Sequence, residues 1–135
     1  MNPTFKNILA IVIGVFIGMI VNGGLISLGH SVIALPEGAD VSTYEKLKES
    51  MYLFGNEQYI FPFLAHSLGT LVGAFVAALI AATYKMRIAV GIGVFFLIAG
   101  IINCFLLPAP VWFIIIDILA YVPAGYLGWK LAGSK

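Results

Sequence analysis

The chain has 135 residues, of which 61% are hydrophobic and only 10% charged, with a formal net charge of +1. Soluble domains carry about 25% charged residues, so this composition excludes an ordinary soluble domain, and the near-neutral balance excludes a basic field for nucleic acid. The one cysteine, Cys104, excludes an internal disulfide and any cysteine-pair metal motif, and it reads as a packing residue.

The first apolar segment spans about 5–33, with Lys6 near its start. It is longer than the apolar part of a signal peptide and no small-x-small site closes it early, so it reads as a retained transmembrane helix. Ala10, Gly14, Gly18, Asn22, Ile26 and His30 recur at every fourth position and share one helix face. Gly14-xxx-Gly18 is a close-packing signature for helices in lipid.

A polar stretch follows, over 34–56. Leu35-Pro36-Glu37-Gly38 reads as a turn, with proline fixing one dihedral and glycine relaxing another. Ser42-Thr43-Tyr44-Glu45 matches a capping box with Ser42 as the cap. A short helix then runs to about Phe54 and stops at Gly55. Tyr44, Leu47, Met51 and Phe54 share its apolar face, while Glu45, Lys46 and Glu49 face water. Such a helix caps the end of the bundle, lies in the headgroup layer, or closes over a cavity.

The second span covers about 57–84, with Pro62 near its start, where a missing amide matters least. Ala65, Gly69, Gly73, Ala77 and Ala81 form a row of small residues, with Thr70, Ala74 and Ala78 beside it and His66 at the head of that second row. A face of this kind admits a second backbone, and the Gly69-xxx-Gly73 pair is expected to meet Gly14-xxx-Gly18. Lys85-Met86-Arg87 is expected to be a tight hairpin that makes the second and third spans antiparallel neighbours. The third span covers about 88–106, and Pro108-Ala109-Pro110 separates it from the fourth, about 111–131. Trp112 and Trp129 bracket the fourth span as an aromatic belt would. Pro123 removes one of its backbone hydrogen bonds, and Ala120, Ala124 and Gly128 make another small row. The expectation is one all-α domain: a four-transmembrane-helix bundle with a short amphipathic helix in the loop between spans one and two.

Lys6, Lys85, Arg87, Lys130 and Lys135 fall on one side of this arrangement. On the other, Lys46 and Lys48 are outweighed by Glu37, Asp40, Glu45, Glu49 and Glu57. The positive-inside rule then places both termini in the cytoplasm, with the loop helix external.

Asp117 is the one acid within an apolar span. It lies about 10 Å past the boundary marked by Pro110, at 1.5 Å per residue. His66 and Asn103 reach about the same depth from their own ends, with His30 near the end of the first span and Asn22 deeper. A charged aspartate near mid-bilayer costs about 2.5–3.5 kcal/mol, so it faces the bundle interior and seeks a partner. An Asp117–His66 hydrogen bond with Asn103 beside it follows. Such a cluster can act as a structural clamp or as a site for a proton or small solute. Haem or metal ligation by His30 and His66 lacks an attachment motif. Catalysis lacks a nucleophile, because Ser67 adjoins His66 in sequence and so does not face it.

Phe61-Pro62-Phe63-Leu64-Ala65-His66-Ser67-Leu68-Gly69-Thr70-Leu71-Val72-Gly73-Ala74, together with Leu35-Pro36-Glu37-Gly38 and Leu107-Pro108-Ala109-Pro110-Val111-Trp112-Phe113, resembles a family of small four-span bacterial membrane proteins. That resemblance covers most of the chain and implies no particular activity. In size and span count the chain is also similar to the small multidrug-resistance transporters. Those carry their coupling acid in the first helix, where this chain has none, so their function is not carried over. The expected function is binding or conduction of a small solute or proton at Asp117, His66 and Asn103, with His30 and Asn22 nearby, without catalysis or a cofactor. The alternative is a non-catalytic subunit of a larger membrane complex. Four short helices enclose little volume, so either case implies a homo-oligomer or a membrane-protein partner.

Overall fold

A computed structural model describes residues 1–133; Lys135, one of the basic residues counted above, lies outside the described residues. Five α-helices follow in order: α1 (Pro3–Val32), α2 (Tyr44–Ser50), α3 (Ile60–Ile80), α4 (Lys85–Leu106) and α5 (Val111–Leu131). Short 3-10 turns at Met51–Leu53 and Asn56–Tyr59 link α2 to α3. The four long helices are each long and apolar enough to cross a membrane, and the protein is an all-α four-helix bundle of the multi-pass membrane type.

Helix α3 packs against α1, α4 and α5, and α4 packs against α5, whereas α1 meets α4 only along a narrow line. The small residues explain why α3 is central. A Cβ added at Gly73 would lie 2.6 Å from the Gly14 carbonyl oxygen, and one added at Gly69 would lie 2.9 Å from that of Gly18. The two GxxxG pairs therefore meet backbone to backbone. Gly128 of α5 is held as closely on α3, with a built Cβ 2.6 Å from the Leu71 carbonyl, and Gly125 meets Ala89 and Gly93 of α4. Between helices already surrounded by lipid, this close contact supplies the attraction, because lipid tails are as apolar as leucine.

Three boundaries differ from the sequence expectation. Helix α3 ends at Ile80 and the turn occupies 81–84, so Lys85, Met86 and Arg87 form the first turn of α4 rather than the hairpin. The cause is tertiary. Asn7 of α1 accepts hydrogen bonds from the Ala82 and Thr83 amides at 3.0 and 3.2 Å and donates to the Thr83 hydroxyl at 2.8 Å. Tyr84 then turns the chain in the left-handed region, at φ 52°. At the other end of α3, the Gly55 amide donates to Gln58 Oε1 at 2.7 Å, and the first turn there is 3-10. In the loop, the cap of α2 is Thr43 and not Ser42: Thr43 Oγ1 accepts from the Lys46 amide at 3.2 Å. Asp40 takes the Ser42 amide instead, at 2.9 Å.

The loop is a built element. The buried Ser50 hydroxyl accepts from the Asp40 amide at 2.9 Å and donates to the Asp40 carbonyl at 3.0 Å. Gln58 Nε2 donates to the Ala34 carbonyl at 3.2 Å. Met51 packs with Tyr59 and Phe113 in a small apolar cluster, against which Leu47 and Phe54 also rest. The loop helix therefore sits over one end of the bundle, here called the loop end. The α3–α4 turn marks the opposite, hairpin end.

Candidate functional site

Between the loop end of the bundle and α2 lies a cleft of about 370 Å³. Its walls come from the last turns of α1, the start of α3, the end of α4 and the start of α5. Tyr44, Leu47, Met51 and Phe54, the apolar face of the loop helix and the turn after it, all line it. The amphipathic segment thus packs on the end of the bundle through Leu47, Met51 and Phe54 and borders the cleft with the same side chains.

Asn22, His30, His66, Asn103 and Asp117, the polar residues singled out in the sequence, all line this one cleft. They differ in depth and engagement. Asp117 is buried, and His66 Nδ1 lies 2.9 Å from both of its carboxylate oxygens. A carboxylate only accepts, so against an ionised Asp117 the imidazole proton sits on Nδ1, and Nε2 is left for another partner. The His66 side chain keeps 22% of its surface exposed, enough for a molecule in the cleft to reach the ring. The Thr70 hydroxyl donates to the His66 carbonyl at 2.7 Å, one turn further along α3.

Tyr121, which is not among the candidate residues of the sequence, belongs to the same group. It sits one turn after Asp117 on α5, buried, and its hydroxyl donates to Asp117 Oδ2 at 3.1 Å. Its ring stacks on His66, with centroids 5.9 Å apart and planes 24° apart. Gly100 of α4 makes room for it, since a Cβ there would lie 2.6 Å from the Tyr121 hydroxyl oxygen. The (i, i+4) spacing of Asp117 and Tyr121 was the available signal.

Asn103 does not stand beside the pair as expected. It lies exposed on the rim, and among the described residues no hydrogen bond joins it to Asp117 or His66. Asn103 lies three residues beyond Gly100, toward the loop end of α4, and reaches the cleft at its mouth. His30 is likewise exposed on the rim, in the last turn of α1, while Gly29 is the residue pressed inward against Phe61. Asn22 lies deeper in the wall; its Oδ1 is buried and has no hydrogen-bond partner. The Ser67 hydroxyl is spent on the Phe63 carbonyl at 2.8 Å. Among the described residues, no group of three or more His, Cys, Asp or Glu gathers around a point that could hold a metal ion.

The site is therefore a buried carboxylate with an imidazole and a phenol as partners. It forms the floor of an otherwise mostly apolar cleft, with aromatic rings above it: Tyr59 meets Phe54 at 6.0 Å, Trp112 at 5.9 Å and Phe113 at 4.9 Å between centroids. An arrangement of this kind can hold or hand on a proton, or receive a small molecule whose polar end meets the floor. Comparison of the chain with protein-family models, with curated proteins and with solved structures gave no match.

Proposed function

We propose that this protein binds a small solute, or a proton on its way across the membrane, in the cleft at the loop end, with Asp117 and His66 as the binding groups and Tyr121 as the residue that positions the carboxylate. The observation that carries this reading is the pair at 2.9 Å on the floor of a roofed cleft. A structural clamp alone needs no cavity beside it. Asn22 and the rim residues Asn103 and His30 supply secondary polar contacts. The role is binding or conduction, and the reading needs no cofactor.

In this reading the protein lies in the cytoplasmic membrane of a bacterium, with the hairpin end, Lys6, Lys85, Arg87 and Lys130 inside, and the lidded cleft open to the outer side. Reconstitution in liposomes tests it. Proton or solute flux that vanishes in Asp117→Asn supports the cleft as the site, and flux that is unchanged sinks it.

A second reading, as a subunit of an oligomer or larger complex, has its own observation. Gly23 and Gly24 of α1 and Gly91 of α4 are exposed, and a Cβ at any of them would meet nothing within 4 Å. The GxxxG pairs are used up inside the bundle, so these three positions are the close-approach surface left for another helix. Co-purification at native expression, repeated with Gly24→Leu and Gly91→Leu, tests this reading; a partner lost with either substitution supports it.

A further inference from the structure

The charges that face the cleft are unbalanced. Two carboxylates line it, Asp117 on the floor and Glu57 near the mouth, and neither lysine nor arginine does. The remaining titratable groups on its walls, His30, His66, Tyr44, Tyr59 and Cys104, are uncharged in their neutral forms. Lys46, the nearby cation on the loop, is turned to Asp40, with Nζ 3.2 Å from Oδ2. The charged side chains that line the cleft besides its histidines are therefore carboxylates alone, set in walls of low polarity where charge is weakly screened.

A further feature points to the same kind of occupant: the rings of Tyr59, Phe54 and Phe113 line the cleft above the floor, and a cation is attracted to an aromatic face within about 6 Å. Carboxylate acceptors below and rings above select a positively charged group with hydrogens to donate, joined to an apolar body that fills the rest of the cleft.

We infer that the ligand of this cleft is a protonated primary or secondary amine with an apolar body; this inference rests on the cleft being the binding site, as proposed above. The ammonium sits against Asp117, and the body lies under Leu47, Met51 and Phe54. His66 keeps its Nδ1 contact with Asp117.

The test uses the full chain in phosphatidylcholine nanodiscs at pH 7.5, with empty discs subtracted. Trp129→Phe leaves Trp112, which touches Tyr59 and Phe113, as the only tryptophan reporter. The buried Trp129 indole N–H has no partner, so that change removes no hydrogen bond. Three probes share one tail: hexylammonium, hexyltrimethylammonium and hexanoate. Hexylammonium should bind saturably, and the other two should bind about tenfold weaker or worse. Asp117→Asn should weaken hexylammonium by about tenfold or more. Glu57→Gln, an exposed change that leaves the packing intact, should weaken it about twofold. Hexanoate binding as tightly as hexylammonium, or more so, overturns the amine inference while leaving the cleft as a binding site. Equal binding of hexyltrimethylammonium overturns the requirement for N–H donors and with it the amine class. If none of the three binds, or if hexylammonium binding ignores both carboxylate substitutions, the amine inference falls, while proton or solute flux in Asp117→Asn still decides the proposed function.

Discussion

One helix face serves two purposes in this bundle. On α1, Ala10, Gly14 and Gly18 are buried against the backbone of α3, and the same four-residue row continues through Asn22 and Ile26, which are half-buried, to His30, which is exposed. The period does not change along the row, but the side chains opposite it do. Gly14 and Gly18 meet Gly73, Ala77 and Gly69, whereas the later turns of α1 meet Phe61 and the region of His66. Small against small closes the α1–α3 seam of the hairpin half, while an apolar groove lined by Ile11, Val15, Ile88 and Gly91 remains between α1 and α4. Large or polar against polar leaves the loop half with a cleft that α2 must roof. Close packing at one end thus fixes the helices rigidly enough to hold a gap open at the other, and a preorganised site needs such a rigid frame.

Breaking the closed half should have the largest effect. A valine at position 73 would place its Cβ 2.6 Å from the Gly14 carbonyl oxygen and 3.2 Å from the Gly18 Cα. Both are backbone atoms, so only a shift of the whole helix relieves the clash. Gly73→Val should cost about 3 kcal/mol or more, or prevent the bundle from forming. Gly24→Ala, where the added carbon meets nothing within 4 Å, should stay within about 0.5 kcal/mol of the parent. Thermal or SDS unfolding in detergent measures both. Equal stability of the two variants would erase the distinction between a packed half and an open half.

The next largest effect probes the open half. Asp117→Asn and His66→Ala should each destabilise, and because the groups touch at 2.9 Å their costs should not add. A double-mutant cycle should return a coupling of about 1–2 kcal/mol. Strict additivity would mean that the pair is geometry without energy. Gly100→Ala tests the link between the halves more gently. Its methyl group displaces the Tyr121 ring, whose hydroxyl lies 2.6 Å from the built Cβ, and should cost about 1 kcal/mol. In a Tyr121→Leu background the cost should fall, because the hydroxyl at 2.6 Å and the ring carbons Cε2 and Cζ at 2.8 Å are all gone. A cost that stays the same would place the strain elsewhere than on the Tyr121–Asp117 bond.

The sequence carried the closed half well. Small residues at a spacing of four have one use in lipid, and the Gly14–Gly73 and Gly18–Gly69 meetings follow from it. The Asp117–His66 contact was legible for a related reason: a lone intramembrane acid must find a donor, and depth arithmetic left few choices. The details set by long-range polar contacts were not legible. Asn7 reaches 75 residues along the chain to end α3 at Ile80, and no local signal announces that. Asn103 lines the rim of the cleft and Asp117 its floor, and a count of residues along each helix does not say how two helices register against each other. Tyr121 was overlooked because tyrosine on an apolar helix reads as bulk until its hydroxyl has a named acceptor.

The smallest effect concerns the roof. Asp40 is exposed, yet its carboxyl is lowered from 3.8 to about 2, first by hydrogen bonds from the Ser42 side chain and backbone amide and then by the Lys46 ammonium. A carboxyl whose folded pKa is depressed contributes to stability above its unfolded value and loses that contribution as pH falls through the folded value. The Asp40 contacts should therefore be intact at pH 5 and lost between about pH 4 and 2. Carbon-13 NMR of the Asp40 carboxyl in nanodiscs should show a midpoint near 2, with the Ser42 amide shift following it. Asp40→Asn should abolish that transition and loosen the loop toward protease, while the α1–α3 contacts at Gly14 and Gly73 are untouched. A midpoint at the ordinary 3.8 would mean that the acid end of the loop is not fastened in this way. Ser50 and the Met51 cluster would then be left to hold the lid alone.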